Sequence, residues 1–282
     1  MDLTLDGLVV SDLDGTLLRS DGTISAASAE VVGRLVERGL RFTVATARSP
    51  SRTLAAVRGL RLRWPLICLN GAVTVDPTTG RWLSTTALAA DAVATLAALG
   101  KRSGIAPLLL GEDGGHEVLM HPPSRGRVQQ AFIAQRAGER RMRPVETLRP
   151  LERTLSVTFV EEHARLAELK AVLIEAGIAG LTLRLMDYPG IPGAATLEIS
   201  RDDVDKVVRV AELAASMGLA PDDVVVFGDH LNDLPMFAWA GTAVAVANAL
   251  PVVLSAADLR CESNDDDGVA RFLIARRGAQ RD

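Results

Sequence analysis

Short apolar runs rich in β-branched residues, LVVSD (8–12), RFTVATA (41–47), DVVVFGD (223–229) and TAVAVAN (242–248), alternate at both ends of this chain with stretches in which apolar residues recur once per helical turn. Such runs lack the polar alternation of a half-exposed strand, so both faces need cover. The intervening helices supply it, and the pattern predicts a doubly wound parallel sheet. SAASAEVVGRLVERG (25–39) reads as one such helix, with Ser25 as N-cap and Gly39 just past its end. DDVDKVVRVAELAASMG (202–218) reads as another, and a closing helix is expected from 267. WPLICLN (64–70) is expected to add one more buried strand.

The middle of the chain has a different grammar. AVTVDPTTGRWLSTT (72–86) predicts a β-hairpin turning at 76–80. Beyond it, helices are expected over 89–100, 125–137 and 163–176, and strands over 105–110, 116–121, 155–160 and 181–186. An arginine-rich, proline-bounded loop falls at 139–150. The expected organisation is an α/β core made of 1–84 and 191–282, interrupted by an α+β domain at 85–190.

Composition narrows the function. With 282 residues, 48% of them hydrophobic, the chain can bury a large core, and a net charge of -4 lacks the positive field that nucleic acid or an anionic membrane surface requires. A small-molecule partner fits better. Cys68 and Cys261 are far apart and lack C-x-x-C spacing, so neither a disulfide framework nor a zinc site is expected. A reducing, cytoplasmic setting follows, with no leader or membrane anchor expected. Of the 31 basic residues, lysine occurs only at 101, 170 and 206.

Ligands of an open parallel sheet bind beyond the carboxyl ends of its strands. The polar residues at those ends are Asp12 and Asp14, Thr46 and Arg48, Asn70, Asp229 with Asn232 and Asp233, and Asn248, while Lys206 opens a helix. Paired carboxylates at the end of a buried strand are costly unless a cation or substrate compensates them. Four acids and a lysine on one rim suit a hard divalent cation that shares a phosphate oxygen with its substrate. In D-x-D-G, the turn at Gly15 separates the two aspartates, so that one carboxylate can attack phosphorus while the other handles a proton. Taken singly, DLDGT can be an Asx-turn closing a strand, and GDHLND a helix N-cap.

DLDGTL (12–17), the strand end at Thr46, a lone lysine opening a helix and GDHLND (228–233) follow the order and spacing of the haloacid dehalogenase-like phosphohydrolases. LNGA (69–72), ATLEIS (195–200), AVANA (245–249) and DDGVARFL (266–273) also resemble segments of the Cof-type branch. The resemblance implies a Rossmann-like core with an α+β cap, and a phosphatase of small phosphorylated metabolites, sugar phosphates foremost, acting through an aspartyl phosphate. It makes Asp12 the nucleophile and Asp14 the general acid and base. It assigns Mg²⁺ to the Asp12 carboxylate, the Asp14 carbonyl and Asp229. Thr46, Ala47, Lys206 and Asn232 would hold the phosphate, with Asp233 in support. Lysine's compact ammonium suits that neutralising task in a chain otherwise dominated by arginine.

His230 and Ala47 depart from the usual residues of the branch, an asparagine or small residue and a glycine; His230 receives no role. A phosphosugar mutase and a non-catalytic phospho-ligand sensor are the competing readings, and intact Asp12, Asp14, Lys206 and Asp229 count against the sensor. His116, His121 and His163 lack ligand spacing. The arginine-rich 136–143 stretch is expected to be a solvated face, the alternative being an electropositive lip that attracts phosphorylated substrates.

Overall fold

The computed structural model describes residues 6–123 and 126–278 and divides into two compact units, one of 1–84 with 204–282 and the other of 85–203. In chain order the first part holds β1 (Leu8–Ser11), α1 (Ala26–Glu37), β2 (Arg41–Val44), α2 (Pro50–Val57), β3 (Leu66–Cys68), β4 (Val73–Val75) and β5 (Trp82–Thr85). The second unit holds α3 (Ala90–Arg102), β6 (Leu108–Asp113), β7 (His116–His121), α4 (Arg127–Ala134), β8 (Met142–Pro144), β9 (Arg153–Glu162), α5 (His163–Glu175), β10 (Leu181–Asp187) and β11 (Ala194–Arg201). The chain closes with α6 (Lys206–Ser216), β12 (Val224–Gly228), α7 (Leu234–Trp239), β13 (Thr242–Val246), α8 (Pro251–Ala256), β14 (Leu259–Cys261) and α9 (Gly268–Gly278).

The first unit is built on a five-stranded parallel sheet in the order β14-β13-β12-β1-β2. Its central strands are buried throughout, and Phe42 and Phe227 have no exposed surface. Each such side chain stabilises the fold by about 1.5–3 kcal/mol relative to exposure. Ser25 caps α1 by accepting a bond from the Ser28 N–H at 2.9 Å. Because β1 lies between β12 and β2, the chain ends that leave these strands, at Asp12, Asp229 and Thr46, emerge beside one another. Register fixes this: Ser11 pairs with Phe227 and with Val44.

β3 is the further buried strand expected, and it runs parallel to the β2 segment, joined to it by the bridge Ala45–Ile67 and by the Thr46 N–H bonded to the Ile67 carbonyl at 2.9 Å. Its regular pairing, however, is antiparallel with β4, in a sheet of order β3-β4-β5. Its apolar composition announces burial on both faces but not the direction of its neighbour. The hairpin turn closes as expected, with Gly80 and Asp76 N–H groups bonded across 76–81. α7, α8 and β14 are short elements, each of six residues or fewer, and carry too little periodicity to be read in advance.

In the second unit a six-stranded sheet has the order β10-β11-β9-β6-β7-β8. ATLEIS lies in β11, paired along seven residues with β10 and also with β9, so this segment belongs to the inserted unit and not to a core resuming at 191. A short connection between antiparallel strands keeps both in one sheet, which moves the unit's end to 203. The 136–143 stretch is solvated only in part: Ala137, Gly138, Arg140 and Arg143 are exposed. Arg136 is buried against the Phe132 ring, and buried Arg141 pairs with Glu117 at 2.9 Å and with Glu139 at 2.7 Å. Arg143 pairs with Asp113 at 2.9 Å. Arg136 and Arg141 are thus held inside the unit, whereas Arg140 and Arg143 remain exposed. No helix among the described residues is long and apolar enough to cross a membrane.

Candidate active site

Asp12 is the first residue past β1, anchored by its N–H to the Phe227 carbonyl at 3.0 Å, and only 6% of it is exposed. Lys206, fully buried at the start of α6, donates to Asp12 Oδ1 at 2.6 Å and to Asp233 Oδ1 at 2.8 Å. Asp233 in turn uses Oδ2 to accept the N–H groups of Asp229 and His230, both at 3.1 Å. One buried carboxylate therefore fixes both the lysine and the loop leaving β12. The His230 side chain is exposed, and only its backbone takes part in this arrangement.

Asp229 is half-buried, and its Oδ1 accepts the Thr16 hydroxyl at 2.7 Å. The chain reverses at Gly15 with φ +79°; a Cβ there would sit 2.5 Å from Asp229 Oδ2, so only glycine lets the turn and this carboxylate come together. Asp14 points to solvent, and Arg48 grips it with Nε at 2.8 Å and Nη2 at 2.5 Å. Such a two-point pairing fixes direction as well as charge. Thr46 is buried at the end of the β2 segment, and its Oγ1 accepts the Arg48 N–H at 3.1 Å, which leaves the hydroxyl proton to donate. Ala47 lies exposed in the same loop. Asn232 donates to Asn70 Oδ1 at 3.1 Å, and Asn248 donates to the Gly15 carbonyl at 2.7 Å.

The electrostatics are those of an anionic pocket short of one cation. Asp12, Asp229 and Asp233 present carboxylate oxygens within 4.8 Å of one another, and the one ammonium among them, Lys206, pairs with Asp12 and Asp233 but not with Asp229. Burial, opposed by Lys206 and reinforced by Asp233 and Asp229, pushes the Asp12 pKa up to about 7. Burial also raises Asp229 above the ordinary carboxylate value. It works against the Lys206 ammonium, yet the Asp12 and Asp233 charges overcome it and hold that pKa above the usual lysine value. Asp12 Oδ2 and Asp229 Oδ2 accept no hydrogen bond from any described residue, whereas both oxygens of Asp233 are engaged. The donor set fits a hard divalent cation: three clustered carboxylates, with a free oxygen on Asp229, carry an excess of two negative charges over Lys206.

Sequence reasoning overlooked Thr16 and gave Arg48, Asn70 and Asn248 no task. The signal for Thr16 stands inside DLDGT, where a hydroxyl two residues past Asp14 falls on the same turn. For Arg48 it is a lone cation at a strand end otherwise lined with acids.

Residues 9–273 match the haloacid dehalogenase-like hydrolase family. The chain is 27% identical to a 5-amino-6-(5-phospho-D-ribitylamino)uracil phosphatase of Bacillus subtilis, over 94% of this chain and 96% of that protein. It is 26% identical to a pyridoxal phosphate phosphatase of Escherichia coli, over 95% and 97% of the two chains. Its fold superposes on a haloacid dehalogenase-like hydrolase from Bacteroides thetaiotaomicron with a TM-score of 0.79 at 24% identity, covering 95% of this chain and 98% of that one. With the family matched along nearly its whole length and an acidic, lysine-bearing rim at the sheet's carboxyl edge, the chain belongs to the haloacid dehalogenase-like hydrolases, as a phosphoric monoester hydrolase of that family.

Proposed function

We propose that the protein is a Mg²⁺-dependent phosphatase of small phosphorylated metabolites, sugar phosphates foremost, that works through an aspartyl phosphate on Asp12. The observation that carries this reading is the state of Asp12: a buried carboxylate with one oxygen held by Lys206 at 2.6 Å and the other free. The free oxygen attacks phosphorus and the ester oxygen leaves, taking a proton from Asp14. Asp14 then removes a proton from water, which attacks the same phosphorus, releasing phosphate and restoring Asp12. Lys206, the Thr46 hydroxyl, the Ala47 N–H and Asn232 hold the phosphate oxygens, and Asp233 keeps Lys206 in place. The Asp12 and Asp229 carboxylates and the Asp14 carbonyl would hold Mg²⁺, which when bound supplies charge neutralisation for the phosphoryl oxygens.

The inserted unit, 85–203, acts in this reading as a cap that selects substrates without supplying the nucleophile. The two relatives named above are phosphatases of a phosphoribityl compound and of pyridoxal phosphate, which supports a small phosphorylated metabolite as substrate. The test is hydrolysis of p-nitrophenyl phosphate and of hexose and pentose monophosphates with Mg²⁺ and with EDTA. Turnover that needs Mg²⁺ is expected. Its absence for every substrate would favour a sensor on the same fold.

A further inference from the structure

The end of the parallel sheet opposite the aspartates carries a feature that the proposed reaction leaves unused. Ser51, Leu54 and Ala55 of α2 and Arg58 at its end recur at helical spacing and so share one face. With Arg61, Arg63 and the 77–80 turn of the hairpin they line an open cleft of about 640 Å³, all within the first unit. Strand pairing fixes its place. Val75, the last residue of β4, stands opposite Leu66, the first of β3, so the turn that follows Val75 lies at the amino end of β3. β3 runs parallel to the β2 segment, whose other end delivers Thr46 to the aspartates.

The charge in this cleft is of one sign. Three guanidinium groups line it and no carboxylate does, in a chain whose net charge is -4. Arg61 has an ion pair with Glu37, which is not part of the lining, whereas the exposed side chains of Arg58 and Arg63 make no hydrogen bond or ion pair with any described residue. A cleft lined by one sign of charge focuses its field and concentrates counter-ions. Arg61 also has φ +51°, a left-handed conformation at a helix end that glycine ordinarily takes and that costs another residue about 1–3 kcal/mol. Thr79 Oγ1 accepts the Arg81 N–H at 3.3 Å, which leaves its hydroxyl proton to donate. A second cavity of about 360 Å³ shares Arg63 and is lined also by Val36, Leu40, Arg41 and the half-buried Trp64.

We propose that this end of the sheet binds an anion with two or more phosphate groups, held by Arg58, Arg61 and Arg63. A guanidinium presents parallel N–H donors that match two oxygens of one phosphate, so linked phosphates call for more than one such fork. Arg58 and Arg63 supply two whose donors are unengaged, and the Thr79 hydroxyl adds a neutral donor. Two sources share this chemistry: a free oligophosphate and a nucleoside diphosphate. The second cavity distinguishes them, because the Trp64 indole offers a base a surface to stack on and offers an inorganic anion nothing. The site lies away from the carboxyl edge, so its occupant is not the ester that reacts at Asp12.

Calorimetry on the full chain in EDTA, with pyrophosphate and with ADP as probes, tests this. Both are expected to bind, and a variant with Arg58→Ala and Arg63→Ala together should bind each about 10- to 100-fold more weakly, the worth of lost charge-assisted hydrogen bonds. Arg58→Lys with Arg63→Lys keeps the charge without the fork and should recover only part of that loss. Circular dichroism should show the alanine variant folded, with kcat and KM for p-nitrophenyl phosphate within about 2-fold of the parent. A larger loss of turnover would tie these arginines to the reaction and overturn a separate site. Trp64→Ala separates the two sources: ADP binding about 10-fold weaker with pyrophosphate unchanged supports a nucleotide, and both unchanged supports a free oligophosphate. No binding of either probe, or binding that the alanine variant leaves unchanged, would overturn the site.

Discussion

Replacing Gly15 by alanine probes the contact between the aspartate turn and Asp229 with a single methyl group. The new Cβ would lie 2.5 Å from Asp229 Oδ2 and 3.0 Å from its carboxyl carbon, so the carboxylate must retreat by about 1 Å to reach van der Waals distance. That retreat also strains the Thr16 bond to Oδ1, now 2.7 Å long. Alanine at positive φ costs about 1–2 kcal/mol, partly offset by a less flexible unfolded chain. Gly218→Ala is the matched control, because Gly218 has φ +71° and a Cβ there meets nothing within 4 Å. Both variants should therefore lose about 1 kcal/mol in urea denaturation, with up to about 1 kcal/mol more for Gly15→Ala from the Thr16 bond. Steady-state kinetics should separate them. A displacement of about 1 Å in a reacting site costs about 10²-fold in kcat, and a shifted ligand raises the Mg²⁺ concentration for half-activation about 10- to 100-fold. Gly218→Ala should stay within about 2-fold of the parent in both. If the two variants show equal activity and equal Mg²⁺ dependence, Asp229 does not stand where its geometry matters to the reaction.

Arg48→Ala frees Asp14 from its two-point grip, so kcat/KM should fall about 10-fold for alkyl phosphates, whose leaving groups need a proton, and stay within about 3-fold for p-nitrophenyl phosphate, whose leaving group does not; an equal fall would place Arg48 on the phosphate. Metal removal should expose the Asp12 titration. Its folded pKa is raised from 3.8 to about 7, so the associated stability is full below the lower value and is lost as pH rises through the higher one. The EDTA-treated protein should thus unfold at lower temperature at pH 7.5 than at pH 5.5, by a free energy of at most about 4 kcal/mol, with Mg²⁺ restoring it at the higher pH; a flat profile would argue against a crowded acid at this position. Burial pushes the Cys261 thiol up to about 12, and Cys68 is fully buried, so iodoacetamide should leave both untouched in the native protein and label both in urea; fast labelling of the native form would contradict the packing around them.

Much of the core was legible because its signals are local. The strands inside the runs at 8–12, 223–229 and 242–248 are buried almost throughout, and a parallel sheet brings their polar ends to one edge whatever the details. What sequence patterns do not carry is the identity of distant partners. Alternation in ATLEIS announces a strand, yet only the pairing of Arg184 with Glu198 and of Glu198 with Thr158 decides which sheet it joins. Two arginines of 136–143 are buried where the sequence suggests solvent, because folding supplies their partners: Glu117 faces Arg141 from β7, and Phe132 lies beneath Arg136. Thr16 and Asp229 are 213 residues apart, and Arg48 and Asp14 are 34 apart. Those hydrogen bonds depend on how β1, β2 and β12 are ordered, which a residue list does not state.

The central claim is that the Asp12 carboxylate becomes covalently phosphorylated. The most direct measurement is an acid quench of the enzyme during turnover of a radiolabelled phosphate ester, followed by borohydride reduction, which converts an aspartyl phosphate to homoserine, and peptide mass spectrometry. The account predicts acid-stable label on the peptide that contains VVSDLDGTLL, homoserine at position 12, and neither in Asp12→Asn, whose kcat should fall by about 10³-fold or more. Label on another residue, or an Asp12→Asn enzyme that keeps the parental kcat, would contradict it.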